Sequence, residues 1–185
     1  MVFVRPRTRK DKGSIREGRP FFLGRAEGRH VAMSNAEHRL VELGIELPKP
    51  NAPVANYVPY VRVGELLHIS GQVSLDASGG IRGVVGEDVD LETARRAARL
   101  CGLSLLAQMR AACDGDLNRV ARVVKLGGFV QAGPTFFEIP QVVNGCSDLM
   151  VEVFGDAGRH ARSAVGIYRL PMNFAVEVDA IVALS

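Results

Sequence analysis

Residues 155–185 read GDAGRHARSAVGIYRLPMNFAVEVDAIVALS, and this stretch decides the fold because it contains two strands and the turn between them. Over residues 162–168 the side chains alternate with the period of two that is typical of a half-buried strand. Pro171 interrupts the pattern, since proline cannot donate to a ladder of hydrogen bonds. The alternation then resumes over residues 174–183. We therefore predict two strands at the end of the chain.

These two strands carry an arginine and a glutamate with complementary chemistry. If the strands are neighbours, they bring Arg162 and Glu177 together. A guanidinium presents a rigid fork of donors to a carboxylate, and a nearby glutamate can hold a proton or position a water. Ala164 and Gly166 share the face of Arg162 and leave space beside it. The pattern fits a site for a small carboxylate, and it also fits an ordinary ion pair across a sheet.

Two separated motifs add a resemblance to a known family. The segments ARSAVGIYRLP (161–171) and AVEVDAI (175–181) resemble the closing signature of the Rid family, the YjgF-type reactive-intermediate deaminases, also labelled endoribonuclease L-PSP. The segment YVPYVRVGELLHISGQ (57–72) resembles the opening pattern of that family, which ends in SGQ. The block GDLNRVARVVKLGGFV (115–130) fits between them. The resemblance extends from residue 51 to residue 184.

The order of elements predicts an α+β domain over residues 34–185. Strands are predicted at 66–73 and 119–131, and helices at 91–113, with Asp90 as N-cap, and at 140–154. The resulting order is strand-strand-helix-strand-helix-strand-strand, which favours a mixed sheet with two main helices on one face. The resemblance implies the chorismate-mutase-like (YjgF-type) fold. It also implies a homotrimer whose sheets form a central barrel, with a ligand cleft at each subunit interface.

The resemblance further implies a reaction and the residues that perform it. The reaction is the hydrolysis of reactive enamine or imine acids, such as 2-aminoacrylate, to 2-keto acids and ammonia, without a cofactor. Arg162 would bind the substrate carboxylate, Glu177 would orient water or move a proton, and Ser70 would assist proton transfer. In this family the arginine comes from one chain and other pocket residues come from its neighbour. Further matches to substrate-binding positions of the family are Tyr57, Gly71 and Asn144.

The chain also departs from the pattern of better-known members. It has Ala164 where they have a cysteine and Gly166 where they often have a glutamate. We therefore expect a roomier pocket that favours bulkier imino acids, in a divergent branch of the family. The alternative function is a non-catalytic trimer that binds a small carboxylate metabolite and has a regulatory or protective role.

Charge is unevenly distributed along the chain. Residues 1–33 hold nine Lys and Arg against three Asp and Glu, a net charge of +6, which leaves 14 against 17, or −3, for the remainder. We predict a flexible basic extension over residues 1–33, which is a nucleic-acid or membrane arm, an organellar presequence, or translated upstream sequence if Met33 is the true start. Because the body is slightly acidic, the outward Arg95, Arg96 and Arg99 of the long helix indicate a solvated face. Nucleic acid is therefore not an expected partner, and this also weighs against an endoribonuclease.

Cysteine usage and hydropathy bound the compartment. The odd number and the spacing of Cys101, Cys113 and Cys146 match neither a disulfide framework nor a zinc site, and His160 has no set of partners for a metal. No apolar run approaches the roughly 20 residues that cross a bilayer. We expect a cytoplasmic protein that binds no membrane and no metal.

Two smaller predictions concern helices. Ser34 is predicted to cap a short helix, with Glu37 completing a capping box and Gly44 ending the helix. Gly102 lies in the middle of the long helix, where glycine costs about 1 kcal/mol relative to alanine, so we expect a close contact with the sheet there.

Overall fold

Five strands and three α-helices are formed by the residues that the computed structural model describes, 35–50 and 56–185. The strands are β1 (Tyr60–Val63), β2 (Leu66–Val73), β3 (Val120–Gln131), β4 (Ala161–Ile167) and β5 (Val176–Leu184). The helices are α1 (Ala36–Glu42), α2 (Leu91–Ala112) and α3 (Ile139–Phe154). The predicted order of strands and main helices is confirmed. The extension over residues 1–33 lies outside the described residues and stays a prediction.

The strands form one mixed sheet in the order β1-β2-β5-β3-β4. β3 and β4 are parallel and are connected through α3, while the other neighbouring pairs are antiparallel. Every second side chain of β5, from Val176 to Leu184, is buried, and those between them are only half-buried. The buried row belongs to the core shared with α2 and α3, so the sheet has one face covered by helices and one open face. This confirms the α+β fold with two main helices on one face.

α2 and α3 pack closely because glycines stand at their contact. A Cβ atom at Gly102 would lie 2.9 Å from Leu149 Cδ2, and a Cβ atom at Gly145 would overlap the backbone carbonyl of Arg95. Gly102 therefore makes room for the other helix, and the predicted contact with the sheet was wrong. Ion pairs extend the contact, with Arg95 3.4 Å from Asp148 and Arg99 2.8 Å from Glu152. These two arginines are paired across helices rather than merely solvated.

Gly145→Ala is expected to lower the free energy of unfolding by about 2 to 3 kcal/mol, since the methyl group would meet a backbone atom that cannot rotate away. Gly102→Ala is the matched control, because its nearest neighbour is the end of a flexible side chain and the alanine gains about 1 kcal/mol of helix propensity. Thermal unfolding followed by circular dichroism measures both. Equal midpoints for the two variants would contradict the packing described here.

The N-terminus of α1 differs from the prediction. Its N-cap is Asn35, whose Oδ1 accepts a hydrogen bond from the His38 amide at 3.0 Å, so the capping box built on Ser34 was wrong. Glu37 instead accepts from the Leu117 amide at 3.1 Å and pairs with Arg110. Serine and asparagine are both good caps, so the residue types at 34 and 35 alone did not decide between the two positions. No helix among the described residues has the length and apolar character needed to span a bilayer.

Candidate functional site

Arg162 lies on β4 with its side chain toward α3. It is half-buried, and its Nη1 donates to Asn144 Oδ1 at 2.8 Å and to Ser147 Oγ at 3.0 Å. Residues three apart on a helix share a face, which is why α3 presents both acceptors to one guanidinium nitrogen. The structure therefore brings together the predicted Arg162 and Asn144 and adds Ser147.

The rest of the Arg162 guanidinium is available to a ligand. Its Nε and Nη2 donate to no group in the part of the chain that the structure describes. A cavity of about 250 Å³ adjoins the guanidinium. It is lined by Ser147, Asp148, Val151, Arg159, His160 and Arg162. A guanidinium held through one nitrogen, whose Nε and Nη2 have no partner among the described residues, is preorganised for the bidentate binding of a carboxylate.

His160 and Ser147 form a hydrogen-bonded pair in this cavity. His160 Nδ1 lies 2.6 Å from the Gly158 carbonyl oxygen, and Nε2 lies 3.0 Å from Ser147 Oγ. Because a carbonyl oxygen can only accept, Nδ1 carries the hydrogen and Nε2 of the neutral ring accepts from the serine hydroxyl. Burial lowers the pKa of His160, and the charge of Arg162 also lowers it. Sequence reasoning considered His160 only as a metal ligand and missed Ser147, since residues 13 apart give no local pattern.

A second group of predicted residues gathers where β2 meets β5. The pairing register shifts between Ile69 and Gln72, which places Ser70 and Gly71 in a bulge. The Glu177 carboxylate lies over Gly71, where any Cβ atom would overlap it. Ser70 Oγ donates to the Val58 carbonyl at 2.8 Å, so it keeps its capacity to accept. Tyr57 lies on the segment leading to β1, and its side chain is exposed.

Glu177 has an environment that favours its protonated form. Burial raises its pKa, and the neighbouring Asp179 carboxylate raises it further. Asp179 is two residues along β5 and therefore on the same open face of the sheet. An ordinary glutamate suits a base, and acid catalysis needs a carboxyl whose pKa is raised, as burial does here.

The predicted meeting of Arg162 and Glu177 within one chain was wrong. β3 separates β4 from β5, with Leu126 paired to Arg162 and Phe129 paired to Glu177. Two strand spacings and a three-residue offset each amount to roughly 10 Å. The two side chains also occupy opposite faces, because Leu126 is buried under the helices while Phe129 shares the open face with Glu177. An intrachain ion pair is excluded for the same reason.

A larger cavity of about 570 Å³ lies at the other end of β4. Its wall includes Gly166, Ile139, Phe137 and Tyr168, and the last two side chains are more than 80% exposed, at 81% and 82%. On the face of β4 that carries Arg162, only Ala164 and Gly166 stand between the guanidinium and Tyr168. No bulky side chain of β4 therefore separates the two regions on this face.

Metal ligands do not cluster in the described part of the chain. Among residues 35–50 and 56–185 no group of three or more His, Cys, Asp or Glu side chains could hold a metal ion. Cys101, Cys113 and Cys146 are free and buried, and burial raises the pKa of each thiol.

The five-stranded mixed sheet with two main helices on one face defines the chorismate-mutase-like class of α+β proteins. The chain belongs to the family described as "YjgF/chorismate mutase-like, putative endoribonuclease", whose pattern matches residues 37–183. The resemblance drawn from the two sequence motifs is therefore confirmed.

Three relatives illustrate the range of similarity. The chain is 48% identical to Protein TCP17 of Trypanosoma cruzi over 157 residues, covering 84% of this chain and 98% of the relative. The chain is also 48% identical to a protein of unknown function from Agrobacterium tumefaciens whose crystal structure is known. The match covers 83% of this chain and 96% of that protein, and the two structures superpose with a TM-score of 0.76. The 2-iminobutanoate/2-iminopropanoate deaminase of Dermatophagoides farinae is 26% identical over 143 residues, covering 76% and 95% of the two chains. The family thus includes imine deaminases.

Proposed function

We propose that this protein hydrolyses enamine or imine acids to 2-keto acids and ammonia, at a site completed by two copies of the chain. The observation that carries the proposal is the Arg162 guanidinium, which is held by Asn144 and Ser147 through Nη1 and lines a cavity. Membership of a family that includes a 2-iminobutanoate/2-iminopropanoate deaminase supports the reaction class.

Two copies are needed because the residues around Arg162 and the residues around Glu177 are far apart within one chain. Arg162 and Asn144 lie on the face covered by helices, whereas Glu177, Ser70 and Gly71 lie where β2 meets β5 toward the open face. A substrate of a few carbon atoms cannot span both groups in one chain. β4 is an edge strand, so a neighbouring copy has access to it. We infer a homotrimer in which one subunit supplies Arg162 and the next supplies Glu177.

Each group has a defined role in the proposed reaction. Arg162 holds the carboxylate of the imine, and a charge-assisted contact of this kind contributes about 1.5 to 3 kcal/mol. Glu177 donates its proton to the imine nitrogen while water adds to the imine carbon and returns a proton to the Glu177 carboxylate. The same group then protonates the amine of the carbinolamine and takes up the hydroxyl proton, so that ammonia leaves and the 2-keto acid remains. The raised pKa of Glu177 keeps that proton available closer to neutral pH. Ser70 and Tyr57 shape the pocket and assist proton transfer.

We expect faster hydrolysis of bulky apolar imines than of the smallest ones. The expectation rests on Ala164 and Gly166, which follow Arg162 on the same face of β4 and are smaller than the residues that better-known members of the family have there. Burying a leucine-sized side chain contributes about 1.5 to 3 kcal/mol, so a preference of about tenfold or more in kcat/KM is expected. An L-amino-acid oxidase generates the imines of alanine, leucine and phenylalanine in situ, and ammonia release above the spontaneous rate is measured for each. Equal or better turnover of the alanine imine would contradict the prediction.

The alternative function is a non-catalytic trimer that binds a small carboxylate metabolite. It keeps the carboxylate site at Arg162 but predicts no acceleration of ammonia release with any imine. Binding of 2-keto acids without hydrolysis would favour it. For either function we propose a cytoplasmic location, since free cysteines are typical of proteins in a reducing compartment.

A further inference from the structure

The proposed reaction uses Ser147 to hold Arg162 but gives no role to the hydrogen bond between Ser147 and His160. The Ser147 hydroxyl has two hydrogen-bond partners, since it accepts from Arg162 Nη1 at 3.0 Å and lies 3.0 Å from His160 Nε2. It also lines the same cavity as Arg162. A hydroxyl has one hydrogen to donate. The direction in which Ser147 donates therefore decides whether it can serve a ligand.

The protonation state of His160 sets that direction. With Nδ1–H fixed on the Gly158 carbonyl oxygen at 2.6 Å, the neutral ring offers only the Nε2 lone pair, and Ser147 donates to it. Protonation turns Nε2 into a donor. The serine then accepts from the ring and its own hydrogen is released toward the cavity. No other arrangement satisfies both bonds of the ring.

We propose that Ser147 and His160 make the Arg162 site a proton-linked oxyanion site, in which protonation of His160 frees the Ser147 hydroxyl to donate to a bound carboxylate. The ligand class is a small organic carboxylate, and the inference rests on the carboxylate role proposed for Arg162. A bound anion favours the charged imidazole, so binding takes up a proton and strengthens as the pH falls.

The charges around His160 agree with this direction. Arg162 of β4 opposes a charge on the ring. Arg159, which pairs with Asp156 at 3.2 Å, and Asp148 of α3, which lies 3.4 Å from Arg95, line the same cavity. Arg122 of β3 donates to the Arg159 carbonyl at 3.0 Å. An anion bound to Arg162 offsets the positive charge of Arg162, which disfavours protonation of His160 and is linked to the ring through Ser147. Burial lowers the pKa of His160, the hydrogen bond to the Gly158 carbonyl raises it, and the charge of Arg162 lowers it. A carboxylate bound to Arg162 would offset that charge and so favour protonation of the ring.

Calorimetric titration with 4-methyl-2-oxopentanoate at about pH 7.5 and about pH 5.5 tests the inference. We expect the wild-type Kd to fall by about fivefold to tenfold at the lower pH, with proton uptake evident from buffers of different ionisation enthalpy. In His160→Gln the Kd should differ by less than about twofold between the two pH values. In Ser147→Ala most of the pH dependence of the Kd should be lost although His160 is still present. His38→Gln is the matched control, because His38 is an exposed histidine of α1 paired with Glu42 and should behave as the wild type.

The outcomes separate this inference from the proposed reaction. A pH dependence that is unchanged in His160→Gln would assign the proton to another group such as Glu177 and overturn the inference, while imine hydrolysis would stand. Failure of the wild type to bind the keto acid at either pH would overturn both. Proton-linked binding that depends on His160, in a protein that hydrolyses no imine, would support the inference and refute the reaction.

Discussion

Arg162→Ala should lower kcat/KM for imine hydrolysis by about 100-fold or more. The variant loses a charge-assisted carboxylate contact of about 1.5 to 3 kcal/mol and the orientation that this contact gives to the reacting carbon. The kcat/KM of Arg162→Lys should lie between those of the wild type and Arg162→Ala. An ammonium keeps the charge, but it cannot bond to Asn144 and Ser147 and also bind a carboxylate in bidentate fashion. Ammonia release with the leucine-derived imine measures each variant.

Arg96→Ala provides the control for this substitution. Arg96 is an exposed arginine of α2 that donates to Thr93 at 3.0 Å and contacts neither cavity. Its loss should leave the rate unchanged. Activity of Arg162→Ala within about twofold of the wild type would remove the guanidinium from the proposed site and with it the deaminase proposal.

Mixing two inactive variants is expected to restore activity. Glu177→Gln should lose about 100-fold or more in rate, because the amide cannot transfer the proton. If Arg162 of one subunit works with Glu177 of the next, random assembly of Arg162→Ala and Glu177→Gln chains in equal amounts pairs an intact Arg162 with an intact Glu177 at about a quarter of the sites. Co-refolded mixtures should therefore reach about a quarter of wild-type activity.

The matching control mixes Arg162→Ala with the double variant Arg162→Ala/Glu177→Gln. No chain of that mixture carries the arginine, so no activity should return. Native mass spectrometry reports whether mixed assemblies have formed. Mixed assemblies that are as inactive as the single variants would show that the two residues do not share a site across subunits.

Local features of the fold could be predicted from the sequence because they depend on neighbours in the chain. The strand predicted at 66–73, LLHISGQV, has the observed bounds of β2. Asp90 marked the start of α2 as a cap whose Oδ1 accepts from the Thr93 amide at 2.7 Å. Pro140 is suited to the first turn of a helix, and α3 begins within one residue of the prediction.

Strand order was beyond the same reasoning because it is set by contacts distant in sequence. β4 and β5 follow one another along the chain, yet β5 pairs with β2 and β3 in the middle of the sheet and β4 is left at the edge. Consecutive strands are adjacent often enough to mislead here. The faces of Arg162 and Glu177, and hence the division of the site, depend on this order. Ser147 escaped notice for a related reason, since its partner His160 is reached only through the turn after α3.

The contact between Gly71 and Glu177 affects the position of the Glu177 carboxylate more than the stability of the sheet. Gly71 stands in a bulge, where the ladder of β2 and β5 is already interrupted, so a side chain at this position would cost the sheet little. It would instead displace the carboxylate that occupies the space. If Glu177 acts as proposed, one extra carbon atom at residue 71 would leave a well-formed protein without activity, so the space that Gly71 leaves for the carboxylate would matter to the reaction as much as any functional group.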